Sequence, residues 1–411
     1  SQDGAAMSIG RLSSFLDIYI ERDLAAGTLT EEGAQELIDA LVIKLRIVRF
    51  LRTIDYDQIF SGDPYWATWS DAGFMEDGRP QVTRTSFRLL QTLRNLGPAP
   101  EPNITIFWDD QLPEGYKEFC AAISIETSSL QYESDKQIRD RWGDDAAIAC
   151  CVSPMKVGKQ MQFFGARVNA AKTLLYAING GRDEMSGKQI VEGHEPVTGD
   201  GPLDFDEVWQ KYEEMLDWVI GTYVEALNII HWSHDKYAYE AIEMALHDSD
   251  IIRTMGCGIA GLSIVADSLS AIRHAEVYPV RDETGLIVDY RTEGEFPVYG
   301  NDDDRADDIA ATIVHTVMAK IKEIPLYRDA IPTQSVLTIT SNVVYGKATG
   351  NFPRGHRAGT PFAPGANPTN GADNHGMLAS MLSVGKLDYN DALDGISLTN
   401  TITPSGLGRT K

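Results

Sequence analysis

Two cysteines stand side by side at positions 150 and 151 of the 411-residue chain, in Ile148-Ala149-Cys150-Cys151-Val152-Ser153-Pro154. Neighbouring residues rarely form a disulfide with each other, because the required torsions strain the peptide between them. The four cysteines, at 120, 150, 151 and 257, are too sparse for a disulfide framework and include no Cys-x-x-Cys. The pair therefore has to be explained as thiols. An apolar setting raises a thiol's pKa and makes it a poor ionic nucleophile, so reaction here favours hydrogen-atom transfer over thiolate attack. Residue type alone leaves a second reading open, two small core hydrophobes, which is the usual state of a free cysteine.

Arg167 is a further candidate, since a guanidinium presents a planar, two-pronged donor that matches a carboxylate. A surface or ion-pairing role is the commoner state of an unplaced arginine. His231-x-x-His234 with His247 has metal-site residue types, but no cysteine or carboxylate cluster completes a recognisable ligand spacing. The aromatic neighbours Trp232 and Tyr237 point to packing, and no metal is predicted. The Gly-rich tract 359–376 has neither a Gly-Lys-Ser/Thr ending nor a strand-to-helix frame, so it does not read as a phosphate loop.

The elements that must position these groups follow from periodicity. Leu12, Phe15, Ile18, Ile20 and Leu24 predict a helix over 11–26 with Gly27 as its stop. Thr30 suits the N-cap of a second helix reaching about residue 52, whose basic last half complements the helix dipole. Residues 53–119 mix Gly, Pro, Trp and Asp with little period and read as loops and short strands, with 103–108 as a strand. The apolar run 146–152 places the cysteines at a strand or turn just before a helix over about 159–177, closed by Gly180-Gly181, with Arg167 on that helix. Helices are expected over 205–247, as two pieces, and over 258–275 and 306–322. Short strands with a turn at 283–285 are expected within 276–300, and a strand over 335–344. Helices alternating with occasional strands favour an α/β arrangement.

With 43% hydrophobic residues the chain has material for a substantial core. Its 36 Lys+Arg against 60 Asp+Glu give a net charge of -24, spread along the chain, which argues against nucleic acid and anionic membranes as partners. Segments such as 219–232 are interrupted by Gly221, Glu225, Asn228 and His231, so no membrane span is predicted. Ser1-Gln2-Asp3-Gly4 has no signal-peptide pattern, and a cytoplasmic, soluble protein is expected.

Cys150-Cys151-Val152-Ser153-Pro154-Met155, continuing into Gly158-Lys159-Gln160-Met161-Gln162-Phe163-Phe164-Gly165-Ala166-Arg167, resembles the active-site segment of the pyruvate formate-lyase family of glycyl radical enzymes. So do Phe60-Ser61-Gly62-Asp63-Pro64-Tyr65-Trp66-Ala67-Thr68, Tyr327-Arg328-Asp329-Ala330-Ile331-Pro332 and Thr338-Ile339-Thr340-Ser341-Asn342-Val343-Val344-Tyr345-Gly346-Lys347. The similarity runs from about residue 3 to about residue 408, and the adjacent cysteines set this branch apart from glycyl radical dehydratases, which carry one. The resemblance implies a ten-stranded α/β barrel of two half-sheets wrapped by helices, this chain covering mainly the second half, with Cys150-Cys151 on a central loop. It implies formate C-acetyltransferase chemistry, in which pyruvate and coenzyme A become acetyl-CoA and formate. In the family a glycyl radical, installed by a separate S-adenosylmethionine-dependent iron-sulfur activase, takes a hydrogen atom from a cysteine. By position, Cys151 relays the radical and Cys150 attacks the keto carbon. Arg167 then holds the substrate carboxylate, and Phe60, Trp66, Phe164, Leu337 and Ile339 wall the pocket. A homodimer is expected with it.

The family's radical loop reads Arg-Val-Ser-Gly-Tyr, which occurs nowhere in the 411 residues. Residues 1–7 resemble an internal segment of the full-length enzymes. The whole of 1–411 is therefore expected to be a catalytic barrel portion without the N-terminal part and without the C-terminal glycyl radical domain, with a small separate glycyl-radical subunit as one source of the radical. At Pro353-Arg354-Gly355-His356-Arg357 the family has Asp-Gly-Arg-Arg after the proline. The same cleavage of 2-oxobutyrate is the nearest enzymatic alternative, since one methylene changes selectivity only modestly. A non-catalytic scaffold or binding subunit is the alternative of another class.

Overall fold

The computed structural model describes residues 7–49, 54, 65–245, 247–338 and 340–402. Its contacts fall into two units, Ser1–Met161 with His234–Ile252, and Gln162–Ser233 with Arg253–Lys411.

In the first unit β1 (Met7–Ser8), β2 (Ala67–Ala72), β3 (Asn103–Trp108) and β4 (Leu130–Ser134) form one parallel sheet in that order. Thr68 is in register with Asn103, and Ile104 with Leu130. Every residue of β2 is buried, the pattern of a parallel strand covered on both faces. One face is covered by α1 (Leu12–Ala25), α2 (Glu31–Ile47), α3 (Arg84–Leu96) and α4 (Glu114–Thr127), whose Ile38, Leu89, Leu93, Tyr116 and Ile123 pack with Trp69, Ile104 and Ile106 of the sheet, while Phe107 on the other packs with Ile138, Ala146 and Ile148. Within this apolar layer the Asp71 carboxylate accepts bonds from Ser86 at 3.0 Å and from Ser13 and Tyr116. Burial raises its pKa against the lowering effect of those donors. After α5 (Asp135–Trp142) the chain makes an antiparallel hairpin of β5 (Ala146–Ala149) and β6 (Ser153–Lys156).

The second unit holds β8 (Val168–Asn169), β12 (Ile331–Ser335) and all but the first residues of β7 (Gln160–Phe164) and β9 (Ile252–Ala260), with β9 between β7 and β12, and β8 also paired to β9. Both β8 and β12 run parallel to β9. Around them lie α6 (Ala170–Ile178), α7 (Phe205–Asp235), α9 (Leu262–His274), α10 (Asp304–Lys322), α11 (Ser341–Lys347) and α12 (Met377–Gly385). Every residue of α9 from Leu262 to Ile272 is buried, so this helix is enclosed on all sides. The short α8 (Tyr239–Glu243) belongs to the first unit, and β10 (Glu276–Arg281) with β11 (Ile287–Glu293) forms a hairpin in the second. Among the described residues no helix is long and apolar enough to cross a membrane.

The α/β class is as expected, as are α1, the start of α2 with its Thr30 cap accepting from the Gly33 amide, β3, the α7/α8 break, the β10–β11 turn and α10. Five expectations are corrected. α2 ends at Ile47 rather than about residue 52, because Val48 turns to extended backbone with ψ at 136°. Residues 53–119 contain α3 and the start of α4 rather than loops and short strands alone. The buried residues of α3 include Thr85, Ser86, Arg88 and Thr92 beside Leu89, Leu90 and Leu93, so a count of apolar residues misses its period. Thr92 bonds the Leu89 carbonyl within the helix, but Thr85, Ser86 and Arg88 find partners farther along the chain, as when Arg88 bonds Glu31 at 2.7 and 2.8 Å and Glu21 at 3.1 Å. The helix expected over 159–177 begins only at Ala170, because pairing with β9 draws the preceding residues into β7 and β8. The helix expected over 258–275 begins at Leu262, since 258–260 complete β9. The strand expected over 335–344 lies at Ile331–Ser335, and 341–347 are helical, with Asn342 bonded to Phe362 through both side chain and backbone.

Candidate active site

Cys150 and Cys151 form the tip of the β5–β6 hairpin, where Ala149 pairs with Ser153 across a three-residue loop. Neither cysteine is in a disulfide, both are half-buried, and their Sγ atoms are 3.3 Å apart. Cys150 has a φ of 60°, the left-handed conformation a non-glycine residue adopts only at a cost of order 1 kcal/mol. Such a conformation persists where neighbouring groups over-determine it. Here the Cys150 carbonyl accepts from Thr68 Oγ1 at 2.5 Å and from Asn103 Nδ2 at 2.9 Å, and the Cys151 carbonyl accepts from Gln131 Nε2. Thr68, Asn103 and Gln131 sit at the N-terminal ends of β2, β3 and β4, three strands adjacent in one sheet.

The base of the hairpin is tied to the same sheet. The Ile148 amide donates to Ser70 Oγ at 2.8 Å, and Arg11 donates to Ala146 O at 2.9 Å and to Ala72 O at 2.8 Å. Arg11 lies over the Phe107 ring at 4.3 Å, and burial pulls its pKa down to about 10 against the pull of Asp135. Glu133, half-buried on β4, accepts from Gln131 at 3.1 Å, and desolvation pushes its carboxyl up to about 8. Trp66, also in this unit, is half-buried with a φ of 52° and donates its backbone N–H to the buried Glu101 carboxylate.

Arg167 belongs to the second unit and lies between β7 and β8, not on a helix as expected. Two tyrosine hydroxyls hold its backbone: Tyr345 donates to Arg167 O at 3.3 Å and Tyr223 to Ala166 O. Gly258 of β9 leaves room for the guanidinium stem, since a Cβ there would meet Arg167 Cγ at 2.9 Å and Ser335 Oγ at 2.8 Å. Leu337, 7% exposed, follows β12, and its neighbours are bonded to the segment around residue 396: the Val336 amide donates to Gly395 O at 2.9 Å and the Ser397 amide to Val336 O at 3.1 Å. Phe60, Ile339 and the side chain of Phe164 lie outside the described residues. Thr68, Asn103, Gln131, Tyr223, Tyr345 and Gly258 were not singled out from sequence. Only Thr68 and Tyr345, inside quoted family stretches, and Asn103, opening an expected strand, carried any signal.

His231 is buried, its ring 4.9 Å from that of Phe163, while His247 bonds Gln160 O at 2.9 Å. Trp232 and Tyr237, expected to pack, are 59% and 77% exposed. Among the described residues no group of three or more metal-ligating side chains occurs.

At the loop that departs from the family, Arg354 pairs with the fully buried Asp267 at 3.1 Å and Arg357 with Asp289 at 2.9 Å. Burial lifts Asp267 to about 6, with Arg354 opposing. This carboxyl, raised above its ordinary value, keeps its proton in the folded state between roughly pH 4 and 6. Removing Arg354 raises it further. Arg354→Ala is therefore expected to cost about 3 kcal/mol at pH 7.5, where Asp267 is ionised and paired in the wild type and would have to take up a proton or stay charged without its partner, and much less at pH 5, where it is mostly neutral in both. Urea unfolding at the two pH values checks this, and equal losses would show that the pair's charge contributes nothing.

Solved structures of the same fold are glycyl radical enzymes. The chain superposes on one from Archaeoglobus fulgidus with a TM-score of 0.85 at 21% identity, covering 98% of this chain and 56% of the other. It superposes on the glycerol-bound B12-independent glycerol dehydratase from Clostridium butyricum with a TM-score of 0.82 at 23% identity, covering 95% and 53%. The class is thus the α/β fold of those enzymes. Residues 1–346 match the pyruvate formate lyase-like family model and residues 362–411 the glycine radical model, and the chain belongs to the pyruvate formate lyase-like family. It is 61% identical over 410 residues to formate acetyltransferase 1 of Escherichia coli strain K12, covering all of this chain and 54% of that protein. The chain spans about half the length of the curated relative. The glycine radical match reaches into the chain, where all of 1–411 was expected to be barrel, although Arg-Val-Ser-Gly-Tyr is absent from its sequence.

Proposed function

We propose that this chain is the thiol-bearing part of a formate C-acetyltransferase, which converts pyruvate and coenzyme A to acetyl-CoA and formate. The observation that carries the reading is the pair of adjacent thiols 3.3 Å apart at a fixed hairpin tip, in a chain 61% identical to a formate acetyltransferase. A glycyl radical supplies the oxidising equivalent, by accepting a hydrogen atom from a thiol. Cys151 gives up that hydrogen atom and regains one from Cys150. The Cys150 sulfur adds to the keto carbon of pyruvate, and the bond between that carbon and the carboxylate breaks homolytically. One product is an acetyl thioester on Cys150. The other, a formate radical anion, takes a hydrogen atom to become formate and so returns the radical. The coenzyme A thiol then displaces the acetyl group and restores Cys150. Splitting one difficult cleavage into thioester formation and thioester exchange is the gain of covalent catalysis.

Arg167 holds the substrate carboxylate in this reading, and Trp66, Leu337, Phe60, Phe164 and Ile339 form the apolar wall. An iron-sulfur activase, a homodimeric assembly and a glycine-bearing loop or small subunit complete the enzyme. An acidic chain that keeps vicinal thiols reduced suits the cytoplasm. Anaerobic electron paramagnetic resonance and a formate assay on the complete protein with its activase test the proposal. A glycyl doublet with formate released from pyruvate is the expected result, and faster turnover of 2-oxobutyrate would reassign the substrate. Absence of formate despite a full glycyl signal would remove the enzymatic reading.

A further inference from the structure

We infer that Thr68, Asn103 and Gln131 are positioning residues for the radical relay, holding the two cysteine peptides so that the thiols stay in transfer contact. The inference rests on the function proposed above and extends it to residues whose side chains bond the backbone of the two cysteines. A thiol's place is set by its Cβ, and the Cβ by the orientation of the flanking peptide planes. The three polar side chains grip the C=O groups of the peptides that follow Cys150 and Cys151. Two donors converge on Cys150 O, which fills both lone pairs of that carbonyl. The residue so held is the one in the left-handed conformation, with φ at 60°. Without the grip, an L-residue there gains by returning to negative φ, and its Cβ swings away.

The donors also share a common mount. They come from three consecutive parallel strands whose register aligns Thr68 with Asn103 and Thr105 with Gln131. A rigid sheet edge, rather than a mobile loop, therefore sets the separation of the sulfurs. Ser70 Oγ, which is two residues beyond Thr68 on the same face of β2, holds the Ile148 amide and fixes the strand leading into the tip. Hydrogen-atom transfer falls steeply with distance, and a displacement near 1 Å from a productive geometry costs on the order of 100-fold.

The test uses the complete, activated enzyme with Thr68→Val, Thr68→Ser and Asn103→Ala. Thr68→Val is nearly isosteric and removes only the donor, while Thr68→Ser keeps it. Thr68→Val and Asn103→Ala are expected to lower kcat by about 10- to 100-fold with the KM for pyruvate unchanged and the glycyl doublet at full intensity. Thr68→Ser should restore most of the rate. A second readout is independent of turnover. Phenylarsine oxide condenses with two adjacent thiols to a cyclic dithioarsenite and water, so the unactivated protein should bind it tightly, and Thr68→Val and Asn103→Ala about 10-fold more weakly. Wild-type rate and arsenical affinity in both variants would overturn the inference while leaving the enzyme reading intact. A loss of rate that follows only a fall in melting temperature or glycyl signal, with no change in arsenical affinity, would reduce these residues to fold support. An inactive wild type with a full glycyl signal would remove the reading itself, and the relay with it.

Discussion

Cys150→Ala and Cys151→Ala, made separately in the complete enzyme, are each expected to reduce formate production by at least about 10⁴-fold, because residues that act as one unit fail together when either is removed. Neither change should unfold the protein. Both side chains are half-buried at a hairpin tip whose bonds run through backbone carbonyls that alanine retains. The two variants differ in what they leave. With pyruvate and no coenzyme A, activated wild type should carry an acetyl group on Cys150, visible by mass spectrometry. Cys150→Ala has no sulfur to hold it, and Cys151→Ala has the sulfur but not the relay, so neither variant should be acetylated. A glycyl doublet of normal size in both variants would place the defect after activation. Retained turnover in either variant would mean that the pair is packing, as its residue type alone allowed, and would favour a scaffold.

The second large effect is expected at Arg167. In the proposed site Arg167→Ala would remove a two-pronged, charge-assisted contact to the carboxylate, roughly 1.5–2 kcal/mol for each of two bonds, or several hundred-fold in kcat/KM. Arg167→Lys keeps the charge but not the fork and should recover only part of that loss. Gly258→Ala should mimic it from a distance, because the new methyl group would lie 2.9 Å from Arg167 Cγ and force the stem aside. Steady-state kinetics with pyruvate and with 2-oxobutyrate check the assignment. The losses should be equal for the two substrates, which share the carboxylate, and unequal losses would place Arg167 near the alkyl end instead.

Much of the scaffold was readable from residue pattern. Thr30 caps α2 as its side chain predicts, and the apolar spacing of α1 and α10 gives each helix within two residues at either end. The failures share one cause. In α3 the buried face includes Arg88, whose partners Glu21 and Glu31 stand more than fifty residues earlier, so local hydropathy gives no hint of burial. In 159–169 the residues are acceptable in a helix, yet β9 supplies a pairing edge and the segment becomes β7 and β8. Arg167 thereby moves off a helix surface into a backbone held by two tyrosines.

The sequence by itself determined which chemical groups are available: two adjacent thiols with no disulfide partner, a guanidinium shortly after them, an acidic chain and the stretches that resemble a radical enzyme family. Only the tertiary structure decided how the thiols are held. The donors that grip the cysteine carbonyls lie 20, 47 and 82 residues away along the chain. A local pattern records what a residue can do. The alignment of three parallel strand ends under one hairpin depends on sheet register, which is set by burial across the whole unit.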